Sequence, residues 1–111
     1  MMHHTQLAEG KRSTLSFLQQ MGNIGSEVYR AQQSQHNNTQ RHKNAKERML
    51  ELIDLTLQDT KGTLPQKIEV ARMREVLCDF FYGENIYHTD ANFLNKYFLS
   101  FGILANQKTK R

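Results

Sequence analysis

Apolar residues in this chain return at helical spacing in four separate stretches divided by polar segments. In the first, Phe17, Met21, Ile24, Val28 and Ala31 recur in steps of four and three, the stripe of an amphipathic helix. Ser13 or Thr14 stands where an N-cap would open it. Residues 1–12 show no such periodicity and read as a flexible start. Gly22 and Gly25 interrupt the stripe, and each costs roughly 1 kcal/mol relative to Ala inside a helix. Close approach of a neighbouring helix would explain them. So would a break near Gly22–Gly25, with Ser26 capping a shorter second piece. The continuous helix is the preferred reading.

From Gln32 to Lys46 the only apolar residue is Ala45, which predicts a linker with its turn at His36-Asn37-Asn38-Thr39. A second helix follows over Gln40–Gln58, with Ala45, Met49, Leu52, Ile53, Thr56 and Leu57 on one face. Lys61-Gly62-Thr63 ends it. Pro65 suits the first turn of a third helix, where its missing N–H is not needed. That helix spans Pro65–Tyr82, with Val70, Met73, Leu77, Phe80 and Phe81 on its main face. Ile68, Ala71 and Cys78 widen the apolar sector, so this helix is expected to be the most buried. The fourth, Ala91–Leu104, carries Leu94, Tyr97, Phe98 and Phe101. Gly83 could close the third helix as a left-handed cap, and Thr89 or Asp90 could open the fourth.

Residues 72–105 hold eight of the ten aromatic side chains, all but Phe17 and Tyr29. Because such rings dominate core energetics, the core is expected to form around a helical hairpin made by this segment. Four amphipathic helices with short connections predict an all-α fold, a four-helix antiparallel bundle. One domain over residues 13–105 would carry a mobile basic tail at 106–111.

Composition narrows the function classes only a little. Apolar runs such as Phe80-Phe81-Tyr82 are far shorter than the roughly 18 residues of a membrane span, so no membrane association is expected. The start lacks the pattern of a secretion signal, which leaves the cytoplasm as the expected compartment. The lone Cys78 excludes a disulfide within the chain and reads as a core thiol. The net charge of +4 is unevenly spread: residues 49–82 are acidic, whereas both flanking parts are basic.

Candidate chemistry is sparse. Glu47, Glu51 and Asp54, like Glu75 and Asp79, fall at spacings that share a helix face. Without any Glu-x-x-His motif, ion pairing with nearby Arg48, Arg72 and Arg74 accounts for them, and neither a metal nor a cofactor is expected. His3, His4, His36, His42 and His88 lie in terminal or loop positions. Arg41, Lys43, Lys46 and Arg48 put four cations within eight residues at a helix start, where they oppose the macrodipole; this run is a candidate for nucleic-acid binding. The loop between the last two helices contains Ile86 and Tyr87, although surface loops seldom need two large apolar groups. These residues either plug the end of the bundle or, with Phe93 and Tyr97, form an interaction patch.

Arg30 and His36, with five residues between them, resemble the Arg-x(4–6)-His motif of HEPN-type ribonucleases. The resemblance implies an all-α domain that pairs into a dimeric cleft, with Arg30 at the scissile phosphate and His36 assisting proton transfer. Without a fuller catalytic constellation, the leading expectation is a non-enzymatic helical interaction module. It would act through a protein partner or as a dimer, with nucleic-acid binding and ribonuclease activity as alternatives.

Overall fold

The computed structural model describes residues 15–109. It contains four helices: α1 (Phe17–Ser34), α2 (Thr39–Gln58), α3 (Leu64–Tyr82) and α4 (Ala91–Thr109). The chain is an all-α four-helix bundle, and among the described residues there is no strand. The expected flexible start, the caps at Ser13 or Thr14, and His3 and His4 lie outside the described residues. α1 is capped by Ser16 instead. Its hydroxyl accepts from the Gln19 N–H, and the Gln19 side chain accepts from the Ser16 N–H. This reciprocal capping box satisfies two backbone donors that the first turn leaves without helical partners.

α1 runs unbroken through Gly22 and Gly25 because α4 crosses it there. A Cβ built on Gly25 would lie 2.4 Å from the Cβ of Phe98, and one on Gly22 would lie 3.5 Å from the Cα of Gly102. The glycines allow two backbones to meet, and the dense packing of that crossing offsets their intrinsic helix cost. The Gln-rich stretch is mostly helical, leaving only residues 35–38 as the connection. Asn38 caps α2 by accepting from the Arg41 N–H at 2.9 Å. The small residues Ala31, Ser34 and Ala45 are buried where the two helices meet.

α1 packs on both α2 and α4, while α3 packs on α2. The core comprises Met21, Ile24 and Val28 of α1, Met49, Leu52 and Ile53 of α2, Val70, Met73 and Leu77 of α3, and Leu94 and Phe98 of α4. This corrects two expectations. The aromatic segment is not the centre: Phe98 alone of its eight aromatic residues is buried, with Phe80, Phe81, Tyr97 and Phe101 flanking the core. Nor is the third helix the most buried, since Ile68 on its outer side is 59% exposed. α1 holds the middle because its glycines and alanine let neighbouring helices come close, with Phe98 the one buried ring seated against Gly25. The other rings cover the periphery, as in the edge-on pairs Phe80–Phe81 at 4.9 Å and Phe17–Phe101 at 6.1 Å. The α3–loop–α4 segment is accordingly not a closely packed hairpin, because its two helices lean on different partners.

Two boundaries also move. α3 begins after Thr63, whose capping box with Gln66 is complete and precedes Pro65 in the first turn. α4 continues through 106–109, part of the expected tail, because Ala105 prolongs the buried line of Leu94 and Phe98. Gly83 closes α3 with φ −104°, outside the left-handed region. Its N–H donates to the Cys78 and Asp79 carbonyls, both at 3.1 Å.

Candidate interaction surfaces

The loop of residues 83–90 turns through left-handed backbone at Asn85 (φ 55°) and His88 (φ 52°), conformations that Asn and His tolerate better than most residues. Polar bonds fix it from within. The Asp79 carboxylate accepts the Ile86 N–H at 2.9 Å and the Tyr87 N–H at 3.1 Å. The Asn85 side chain bonds both the N–H and the carbonyl of Thr89, each at 2.9 Å. Asp90 then opens α4 by accepting from Asn92 and Phe93. Asp79, expected to pair with a neighbouring arginine, serves the loop backbone instead.

With the loop held this way, Ile86 is 65% exposed and Tyr87 53% exposed. The plug reading is therefore corrected: these side chains face water, while their own backbone N–H groups are held by the Asp79 carboxylate. Phe93 is likewise exposed and stacks on Tyr97, ring centroids 6.3 Å apart. Tyr97 turns inward against Phe98 and Phe101, and its hydroxyl donates to the Glu69 carboxylate across the α3–α4 gap. Burial, reinforced by that bond, pushes the Tyr97 phenol well above its ordinary pKa. The Arg72 guanidinium, 2.7 Å from Glu69, is the main cause of the lowered Glu69 pKa, with the Tyr97 bond adding to it. Phe93 and Tyr97 are thus brought together on one line of α4, while Ile86 and Tyr87 form the tip of the preceding loop.

The four cations of the 41–48 run do not share one surface. Arg41 and Arg48 stand seven residues apart, two turns along one face of α2. Lys43 and Lys46 point to the opposite side, where the Lys46 ammonium lies 4.4 Å from the centre of the Tyr82 ring. Arg41 and Arg48 instead join Arg30 of α1 along an open α1–α2 groove of about 810 Å³. Glu27, also in that groove, pairs with Arg30 at 2.6 Å, and Arg48 pairs with Glu51 at 2.7 Å. His36 lies exposed in the α1–α2 turn and is not among the residues lining the groove with Arg30.

Sequence reasoning placed His42 in a polar linker. In the fold it is half-buried, its Nδ1 donating to the Ala31 carbonyl at 2.7 Å and its ring edge-on to Phe81. Asp54 pairs with Arg74 across α2 and α3 at 3.1 Å. Among the described residues no group of three His, Cys, Asp or Glu side chains could hold a metal, and no helix is long and apolar enough to cross a membrane. No protein-family model, curated protein or solved structure matches the chain.

Proposed function

We propose that this protein is a non-enzymatic helical interaction module that pairs with a second copy through the 83–90 loop and the start of α4. The observation that carries the reading is the exposure of Ile86, Tyr87 and Phe93 on a backbone already fixed by Asp79 and Asn85. Burying one such side chain contributes roughly 1.5–3 kcal/mol, and a loop ordered in advance loses little further entropy on binding. The four patch residues, Ile86, Tyr87, Phe93 and Tyr97, carry no formal charge, while Glu84 and Asp90 of the same loop are exposed beside them. A two-fold axis through this surface would set each patch against its own counterpart.

The reading is tested with the double variant Ile86→Asp/Phe93→Asp. Both positions are exposed, so the helices should melt as before while the dimer dissociates. A dimer unaffected by two buried carboxylates would place the contact elsewhere.

A further inference from the structure

We propose that the α1–α2 groove binds single-stranded nucleic acid, with Arg30, Arg41 and Arg48 on the phosphates and Tyr29 stacking on a base. This surface is separate from the apolar loop patch. Guanidinium groups line both walls: Arg30 on α1, and Arg41 with Arg48 on one face of α2. Seven residues of helix place the latter two about 10 Å apart along the groove, a track for a backbone rather than a point site for one anion. The planar fork of Arg suits phosphate oxygens.

Tyr29 is 52% exposed beside these cations. An exposed ring flanking a basic groove is the arrangement by which proteins hold unpaired bases, since every base offers a π-face. Gln33 and Asn44, also lining the groove, supply neutral donors and acceptors for base edges. The surface is concave between two helices. A duplex read through its major groove calls for a protruding helix instead, so the shape favours a single strand. One lining carboxylate, Glu27, opposes the phosphates and is engaged with Arg30. Its removal should strengthen binding.

The test is fluorescence anisotropy of the full chain with a labelled oligothymidine of about a dozen nucleotides, a length within single-strand site sizes, titrated from low to high salt. Binding should weaken linearly on logarithmic axes as salt rises. Arg41→Gln/Arg48→Gln should cost tenfold or more in affinity and reduce the salt slope by about 2. Lys43→Gln/Lys46→Gln removes the same charge from the opposite face and should change affinity less than about twofold, because net charge alone does not set a local site. Glu27→Gln should tighten binding, and Tyr29→Ala should weaken it without changing the salt slope. Thermal melts of each variant separate lost binding from lost fold. No binding at low salt, equal losses from the two double variants, or tighter binding to duplex than to single strand would each overturn the proposal.

Discussion

Gly25 of α1 and Phe98 of α4 meet so closely that a methyl group on Gly25 would fall 2.4 Å from the Phe98 Cβ. That atom sits next to the α4 backbone, so it cannot swing aside as a side-chain tip could. Gly25→Ala must push the two helices apart, at a cost of about 1–3 kcal/mol for overpacking. Gly102 is the contrast, because a Cβ there meets nothing within 4 Å. Gly102→Ala should stabilise α4 by up to about 1 kcal/mol. Thermal melting of both variants checks the pair: Tm should fall for Gly25→Ala and rise for Gly102→Ala. A shift in the same direction for both would argue against the tight crossing.

The Tyr97–Glu69 bond joins α3 to α4 where their backbones stand apart, and it gives stability a pH dependence at both ends. Tyr97 ionises at a higher pH in the fold than in the unfolded chain. Its contribution is therefore complete below the ordinary phenol pKa of about 10 and is lost as pH rises beyond it. Glu69 is held below the ordinary carboxylate range, first by Arg72. Its contribution is present above about pH 4.3 and lost as pH falls through the folded value. Melting curves should show wild type losing Tm faster than Tyr97→Phe above pH 10. At neutral pH that variant should be less stable by about 1 kcal/mol. Glu69→Gln should flatten the acid side.

Asp79 controls whether the loop presents Ile86 and Tyr87 as a fixed surface. Asp79→Ala removes the acceptor for both N–H groups and should cost about 1–3 kcal/mol. Hydrogen exchange at the Ile86 and Tyr87 amides should accelerate while exchange in the α1 core stays slow. Self-association should weaken in parallel, because a loosened loop must be ordered again on binding. Unchanged exchange at those two amides would show that other interactions hold the loop.

The elements were legible where a few neighbouring residues decide them. The stripe of α1, a turn near residues 36–39 that the fold places at 35–38, and Pro65 in the first turn of α3 all follow from local spacing and capping chemistry. The Ser16 cap was also written locally, since Gln19 stands three residues on and completes the box. What lay beyond the sequence was the choice of central helix. Eight aromatics in one segment suggested a core there, yet the two glycines of α1 marked the closest crossing, and of those eight only Phe98 is buried, seated against Gly25. The loop failed for a similar reason: Ile86 faces water, while Asp79, seven residues earlier, commits its carboxylate to the loop backbone. For the cationic run, winding residues 41–48 onto a helix separates Arg41 and Arg48 from Lys43 and Lys46. That Arg30 joins the first pair from another helix required the fold itself.

The most direct measurement of the central claim is the mass of the purified protein by sedimentation velocity over about 1–100 μM, a range spanning ordinary affinities between protein surfaces. Wild type should reach twice the 13.0 kDa chain mass as concentration rises, and Ile86→Asp/Phe93→Asp should remain at the single-chain mass with an unchanged melt. A wild-type chain that stays monomeric throughout would contradict pairing through the 83–90 loop.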